Sequence, residues 1–215
     1  MTAGAELDRP LTAVANPARL QALRRTGLLD TDAEEAFDRM TRLAVKLLGV
    51  PAAFISLVDE KRDFYKSAHG FGEPLASSRE LTGLTFCHYA IESDRPLVVP
   101  DTRADPVFRH VPTVETLGVA AYVGIPLADP DGHILGSFCA IDQKPHEWSE
   151  TEVEVMTELA ASARREIALR ARVRDLEEYS DRLQTLAHEM SSLAIENQAL
   201  ADELQARRDA SGRTA

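Results

Sequence analysis

Two cysteines, Cys87 and Cys139, are the only thiols of this chain and the residues with the most reactive side chains. If the fold brings them together, they could pass reversibly between a dithiol and a disulfide. They are too few and too far apart in sequence for a disulfide scaffold or a structural zinc site, so the default prediction is a pair of reduced, space-filling thiols. Geometry decides between these roles, because a disulfide needs Cα atoms within about 7 Å.

Histidines offer a second route to chemistry, through metal binding. The six histidines include no pair spaced four residues apart and no Cys-x-x-Cys partner, so neither zinc nor haem is predicted. We therefore assign no catalytic residue and no metal site, and the cofactor is unknown.

Composition restricts the kind of partner. The chain has 215 residues and a formal net charge of -11, whereas non-specific binding to nucleic acid or to an anionic membrane requires a basic surface. Neither partner is expected. The first ten residues lack an apolar export segment, and the longest apolar stretch, residues 43–58, is interrupted by Lys46 and Pro51. A cytoplasmic location is expected.

Turn and cap signals define the elements that must position the cysteines. Thr31 and Glu34 are spaced as a capping box for an amphipathic helix that ends at Gly49. The run after Pro51 changes to the short β-rich pattern of a hairpin. Residues 129–132, Asp-Pro-Asp-Gly, are the strongest hairpin turn of the chain and precede the strand that holds Cys139. The pattern predicts helices packed against an antiparallel sheet, an α+β fold.

The last third of the chain is a helix with a seven-residue apolar repeat. Ser149 and Glu152 form a capping box at its start, and no Gly or Pro interrupts the repeat. Asn197 occupies a seam position, where paired amides favour a parallel two-stranded coil. A homodimer is therefore predicted. Its seam is Leu169, Leu176, Tyr179, Leu183, Leu186, Met190, Leu193, Asn197, Leu200 and Leu204.

Two alternatives to the dimer remain open. The helix could fold back on its own domain, although a length near 90 Å at about 1.5 Å per residue exceeds one small domain. Small residues flank the seam, among them Ala187 and Ala194, and could admit a four-helix assembly or a docked partner protein.

The predicted organisation has four parts. Residues 1–15 are a flexible N-terminus, residues 16–168 form the folded domain, residues 169–208 form a coiled coil continuous with the last helix of that domain, and residues 209–215 are a flexible tail.

Over residues 20–170 the sequence resembles GAF domains, small-molecule sensory modules of bacterial signalling proteins. The resemblance rests on RLQALRRTGLLDTDAEEAFDRMTRLAVKLLGVP leading into FISLVDEKRDFYKSAHG, then TFCHYAIESDRPLVVPDTRADPVF, then YVGIPLADPDGHILGSFCAID before the closing helix. It is greatest for GAF modules that precede histidine kinases, stress-response serine phosphatases and diguanylate cyclases.

The resemblance implies a central antiparallel sheet of about six strands, with dimer-interface helices on one face and a ligand pocket on the other. Two strands would form the pocket floor, and residues 86–88 with the loop 101–108 its wall and lid. By position, the ligand-pocket residues are Phe86, Cys87, His88, Asp101, Arg103, Phe108, Tyr122, Phe138, Cys139 and Asp142. For the polar residues at strand ends, ordinary turn chemistry is the alternative.

The implied function is a non-catalytic sensor. It would bind a small molecule or report redox state, and transmit the signal through the coil to a kinase, phosphatase or cyclase partner. Bilin attachment is not expected, because residues 111–117 contain no cysteine, and the cyclic-nucleotide signature is missing. The alternatives are an enzyme like free methionine sulfoxide reductase and a ligand-free structural coiled-coil adaptor.

Overall fold

The structure, a computed structural model, describes the backbone of residues 11–211 and the side chains of residues 11–207. The described chain forms two compact units, one ending at Arg172 and the other beginning at Val173. Of the segments predicted to be flexible, residues 1–10 and 212–215 lie outside the described residues. Within 11–15, the Ala13 N–H donates to Glu92 Oε1 at 2.7 Å, and the Ala13 carbonyl accepts from Arg19 Nε.

A six-stranded antiparallel sheet forms the centre of the first unit, as predicted. Its spatial order is β3-β2-β1-β6-β5-β4. β1 and β6 are the central pair, so their backbone groups are bonded on both sides. The strands are β1 (Ala52–Val58), β2 (Arg62–His69), β3 (Glu80–Thr82), β4 (Leu97–Val99), β5 (Ala121–Ala128) and β6 (Ile134–Asp142).

Helices cover both faces of this sheet. Within residues 11–211 there are six α-helices and a 3₁₀ turn at Phe108–His110. The helices are α1 (Pro17–Arg25), α2 (Glu35–Leu48), α3 (Leu75–Ser78), α4 (Phe86–Ala90), α5 (Thr113–Thr116) and α6 (Glu150–Ser211).

Strand alternation produces two separate cores. Successive residues of a strand point to opposite faces, so Ile55 and Phe138 join the core beneath α2 and α6, whereas Phe54 and Cys139 join the core beneath α4 and α5. The six-stranded antiparallel sheet packed with helices agrees with the predicted fold, and the candidate pocket belongs to the face beneath α4 and α5.

The predicted capping box at α2 is wrong. Glu34 is the N-cap residue, but its side chain makes no cap hydrogen bond. The Thr31 hydroxyl donates to the Leu28 carbonyl instead. The Glu34 carboxylate is used elsewhere, because it pairs with Lys66 Nζ at 2.6 Å and with Arg170 Nη2 at 2.6 Å.

A β-bulge explains how Lys66 reaches Glu34. Ile55 pairs with Ser67 and Ser56 pairs with Tyr65, which leaves Lys66 as the extra residue of β2. Its side chain is fully buried, and its ammonium also donates to Thr31 Oγ1 at 2.6 Å and to the Asp32 carbonyl at 2.7 Å. The buried charge is thus paired and hydrogen-bonded, as a buried cation requires.

The start of α6 is specified as predicted. Glu152 N donates to Ser149 Oγ at 3.3 Å, and Ser149 N donates to Glu152 Oε2 at 2.8 Å. One face of the first turns, from Met156 to Ile167, is buried against α2 and the sheet core. From residue 173 to 207 all side chains are exposed. No helix among the described residues is long and apolar enough to span a membrane.

Close backbone packing at Gly136 gives a test of the central strand pair. A Cβ built at Gly136 would lie 1.9 Å from the Ser56 carbonyl oxygen in β1. We expect Gly136→Ala to lower the free energy of unfolding by about 2 kcal/mol or more, because backbone atoms of two paired strands must separate. Gly72→Ala is the matched control, since nothing lies within 4 Å of its Cβ position. Urea unfolding of both variants checks this, and equal midpoints would contradict it.

Candidate functional site

A small cavity lies between the sheet and the α4–α5 segment, as expected for the candidate pocket. Its volume is about 20 Å³, which is enough for one water molecule. Most of its lining is apolar, from strands β1, β2, β5 and β6 and from residues 85–119. Thr113 contributes a hydroxyl that is buried without a hydrogen-bond partner among the described residues.

Aromatic rings occupy the space that a ligand would need. Phe86 of α4 stacks on Tyr122 of β5 with ring centroids 4.9 Å apart and an interplanar angle of 19°. On the other side, the ring centroid of Phe54 lies 4.8 Å from that of Tyr65 and 5.5 Å from that of Phe71. In this conformation, a molecule larger than water enters only if one of these rings moves.

The two cysteines meet behind this ring stack. Cys87 Sγ lies 3.9 Å from Cys139 Sγ, and both residues are buried. Cys139 Sγ also lies 3.0 Å from Tyr122 Oη and 3.0 Å from Ser137 Oγ. The fold therefore places the two thiols side by side, whereas the default prediction from the sequence was a pair of reduced, space-filling thiols.

Local structure fixes each sulfur. Thr85 caps α4, with its hydroxyl accepting from Cys87 N at 3.2 Å, so Cys87 lies in the first helical turn. Cys139 pairs with Phe54 on one side and Gly124 on the other. A Cβ at Gly124 would lie 2.3 Å from Tyr122 Oη, so the missing side chain gives room for the tyrosine to cross towards the sulfur.

Burial keeps this cluster neutral. Desolvation raises the pKa of the Cys87 thiol well above its usual value, and the neighbouring Cys139 raises it further. Desolvation likewise raises the pKa of the Tyr122 hydroxyl. A protonated, enclosed thiol is a poor nucleophile, so Cys87 is unreactive while the site is closed.

A carboxyl group borders the thiols. Asp63 of β2 is buried, which raises its pKa well above the usual range, and the Cys87 thiol adds to this effect. The Thr85 hydroxyl donates to Asp63 Oδ2, whereas Asp63 Oδ1 has no hydrogen-bond partner in the described part of the chain. His88 Nδ1 lies 3.8 Å from that oxygen.

The sequence-predicted pocket residues separate into three groups. Phe86, Cys87 and Tyr122 line the cavity, and Cys139 contacts two of them. Phe108 packs behind Phe86, with ring centroids 5.6 Å apart.

Two predicted residues serve α4 or the opposite core instead. His88 completes the capping box of α4 by accepting from Thr85 N at 3.2 Å. Phe138 was wrongly placed on the pocket floor with Cys139. Because neighbouring residues of a strand face opposite ways, it lies in the core beneath α2 and α6.

Asp101, Arg103 and Asp142 form turn structure away from the cavity lining. Asp101 Oδ1 accepts from Arg103 N at 3.0 Å, and Asp142 Oδ1 accepts from Gln143 N at 2.7 Å. The alternative given for these strand-end residues, turn chemistry, describes the observed contacts.

Sequence reasoning missed the aromatic and hydroxyl half of the lining. Phe54, Tyr65 and Phe71 come from the first hairpin, and Thr113 comes from α5. The alternation of β1 would have placed Phe54 on the face of Cys139, since the two residues are paired partners. No sequence pattern marked Thr113.

An acidic cluster in the β5–β6 turn belongs to the turn itself. Asp129, Asp131 and His133 bring possible metal-ligand atoms within 4.8 Å of one another. However, Asp129 Oδ1 accepts from the backbone N–H groups of Asp131 and His133, at 3.0 and 2.8 Å. Hairpin geometry therefore accounts for this cluster.

Comparison with known proteins identifies the same kind of domain. A family model described as GAF domain matches residues 32–167. A cyclic di-GMP phosphodiesterase of Pseudomonas aeruginosa is 34% identical over 120 residues, which are 55% of this chain. The chain matches only 20% of the length of that relative.

Two solved structures have the same fold. The GAF domain of an Acinetobacter phosphoenolpyruvate-protein phosphotransferase has a TM-score of 0.53 at 18% identity, over 71% of this chain and 94% of that one. The blue-light absorbing form of the Thermosynechococcus elongatus PixJ GAF domain has a TM-score of 0.54 at 19% identity, over 79% and 96% respectively. At these identities the likeness concerns the fold alone.

The end of β6 joins α6 through a titratable histidine. His146 Nδ1 lies 3.1 Å from Asp142 Oδ2, and His146 Nε2 lies 2.8 Å from Glu152 Oε1. Burial alone would lower the pKa of His146, but the two carboxylates outweigh it and raise the pKa. The imidazolium is therefore favoured in the folded state.

We expect the stabilising effect of His146 to depend on pH. A raised folded pKa gives stability that is fully present below about pH 6.5 and is lost as pH rises through the folded value. His146→Gln should therefore cost more free energy of unfolding at about pH 5.5 than at about pH 8.5, because the imidazolium loses its proton as the pH rises. Denaturant unfolding at both pH values measures this. An equal cost at both would contradict it, and His69→Gln, at an exposed strand end, is the control.

Proposed function

This chain belongs to the GAF domain family, and we propose that it works as a non-catalytic sensory module whose state is transmitted along α6 to a coiled-coil homodimer. The observation that carries the proposal is the double use of α6 (Glu150–Ser211). Its first turns complete the core of the domain through Met156 and Ile167, and the same helix continues into the apolar seam.

The exposed seam supports a partner for the coil. Leu176 is 68% exposed, Tyr179 63% and Met190 71%, and such residues rarely recur at heptad spacing on a helix without a partner. We infer that the occupant is a second copy of this chain. Asn197 supports a parallel pair, because two facing amides satisfy each other in that register.

An ion network offers a path from the sheet to the coil. Glu34 pairs with Lys66 of β2 and with Arg170 of α6, and Arg170 also pairs with Glu166 one turn earlier at 2.9 Å. Lys66 follows the cavity-lining Tyr65 directly. A shift of β2 on the cavity side therefore changes the position of a buried charge that holds the helix leading into the coil.

The proposed input is a small, largely apolar molecule. The aromatic rings of the cavity would pack against it, and the Thr113 hydroxyl, which has no hydrogen-bond partner among the described residues, would provide a polar contact. Because the cavity volume is about 20 Å³, binding requires a lining ring to move, and we propose that the Phe86–Tyr122 stack opens. That requirement couples occupancy to movement of α4, which is what a sensor needs.

The proposed output is a signalling enzyme that the coil contacts, of the kinase, phosphatase or cyclase class. The P. aeruginosa relative is named a cyclic di-GMP phosphodiesterase, which supports a place in signalling. Since the match covers 20% of that protein, its activity is not part of the proposal. We further propose a cytoplasmic location, which rests on the two unbridged cysteines.

A structural adaptor is the second candidate, and the small volume of the cavity favours it. In that case the domain would hold the coil and bind no ligand. The sulfoxide-reductase-like enzyme is less favoured, because both thiols are enclosed and the Cys87 pKa is raised. Turnover of free methionine sulfoxide that is lost in Cys87→Ser or Cys139→Ser would favour the enzyme.

A single charge in the seam tests the dimer. We expect the wild-type protein to have about twice the chain mass of 23.6 kDa by light scattering after gel filtration, and Leu183→Glu to have the monomer mass. Facing carboxylates at a seam position repel each other and lose the apolar contact. Gln184→Glu, which adds the same charge one residue outside the seam, should remain dimeric. A dimeric Leu183→Glu protein, or a monomeric wild type, would refute the seam assignment.

Native mass spectrometry of protein purified without denaturation separates the sensor from the adaptor. A sensor should carry added mass above 23.6 kDa per chain, and Leu117→Trp, which fills the cavity, should lose that mass. Leu43→Trp on α2, a half-exposed residue on the other side of the domain, is the control and should keep it. Polypeptide mass alone in all three proteins would favour the adaptor.

A further inference from the structure

We propose that Cys87 and Cys139 form a modification site, an intramolecular disulfide that a hydroperoxide generates when α4 opens. The site goes beyond the proposed ligand-binding function, because it needs no ligand in the cavity and is measured on the sulfurs themselves. It also differs from a reductase site, since the bridge itself is the product.

The distance between the sulfurs is the first argument. They lie 3.9 Å apart, and a disulfide bond is about 2.05 Å long, so they must approach by about 1.9 Å. Cys139 cannot supply this movement, because β6 is paired with β1 and β5 on its two sides. Cys87 can, because α4 is a buried helix of only five residues and no sheet hydrogen bonds hold it.

The polar surroundings of the thiols are the second argument. Ser137 Oγ and Tyr122 Oη each approach Cys139 Sγ to 3.0 Å. Ser56 Oγ and Asp63 Oδ1 are buried without a hydrogen-bond partner among the described residues. Both thiols belong to the apolar core beneath α4 and α5, yet hydroxyl and carboxyl groups border them, and buried polar groups without partners cost stability. These hydroxyl and carboxyl groups are explained if the two thiols lose their protons when they react.

The step balances with a hydroperoxide as oxidant. Asp63, in its ionised form, takes the proton of the Cys87 thiol, and the thiolate attacks the terminal peroxide oxygen to give a sulfenic acid. The alkoxide that leaves takes this proton back from Asp63 and departs as an alcohol. Cys139, hydrogen-bonded to Tyr122 and Ser137, then attacks the Cys87 sulfur, and the sulfenic oxygen leaves as water. Two electrons pass from the two sulfurs to the peroxide, and one S–S bond replaces two S–H bonds.

Opening controls the rate of this step. Cys87 lines the cavity, whereas Phe86 beside it closes the cavity by stacking on Tyr122. The peroxide therefore reaches Cys87 when this stack separates. Once formed, the bridge ties α4 to β6 and holds Phe86 in a shifted position.

Intact mass measurement on the full chain tests the site. The reduced protein is treated with tert-butyl hydroperoxide, then denatured and alkylated with N-ethylmaleimide. We expect a wild-type species that takes up no maleimide, is lighter by two hydrogens, and takes up two maleimides after dithiothreitol treatment. Peptide mapping should join the segments that hold Cys87 and Cys139. Cys87→Ser and Cys139→Ser should not show the intramolecular species.

Several outcomes would overturn the site. They are free thiols in the treated wild type, a bridge between two chains, and a bridge that forms only in guanidinium. None of these outcomes concerns ligand binding, so each of them would leave the proposal of a ligand in the cavity unaffected.

A matched pair of tyrosine variants isolates the role of the hydroxyl. Tyr122→Phe removes the group 3.0 Å from Cys139 Sγ and should slow bridging about tenfold, the effect of losing one hydrogen bond to an ionised group. Tyr89→Phe makes the same chemical change elsewhere on α4 and should bridge at the wild-type rate. Equal rates for the two variants would remove Tyr122 from the site, and circular dichroism confirms that both are folded.

Discussion

The central position of β6 is the constraint on which the rest of the domain depends. Hydrogen bonds on both sides hold its backbone, and both of its faces are buried, so each residue is committed to one of two cores. Phe138 packs in the core beneath α2 and the first turns of α6, and Cys139 packs at the candidate site. If β6 slipped by one residue along β1, each of its side chains would move to the opposite core. The close contact of Gly136 with β1 therefore matters for both faces of the sheet.

Charge is the second organising feature, and it acts across the sheet. The bulge in β2 turns Lys66 into the helical layer, where burying an ammonium would be unfavourable without Glu34. Glu34 in turn binds Arg170, so the cost of burying one cation on a strand is offset by a carboxylate that also holds α6. The sheet and α6 therefore share a single acidic group, Glu34.

The sequence predicted those features that local physics determines. The Asp129 hairpin turn, the Ser149 capping box and the period-two strands each depend on residues within a few positions, and the structure has all three. Features that depend on distant partners were missed. Glu34 looked like a helix cap because its ion partners lie 32 and 136 positions away in sequence. The sequence also did not show that aromatic rings fill the cavity. That depends on the rotamers that five aromatic side chains adopt together in the folded domain.

Phe138 shows a different kind of error. The alternation that separates it from Cys139 was readable, but assigning both residues to one surface ignored the pleat. Tyr122, which was also predicted on the pocket floor, does line the cavity. Site prediction from a family resemblance is therefore most reliable when each residue is also checked against strand parity.

Trp148 gives the molecule an intrinsic optical reporter. It is the only tryptophan of the chain, its ring stacks on His146 at 4.1 Å, and its indole N–H donates to the Val99 carbonyl at 3.3 Å. It thus lies where an edge strand of the sheet meets the first residues of α6. A neighbouring imidazolium quenches indole emission more than neutral imidazole does, so the fluorescence of Trp148 reports the protonation of His146. It also changes when this junction between the sheet and α6 rearranges. The junction can therefore be observed in solution without attaching a dye.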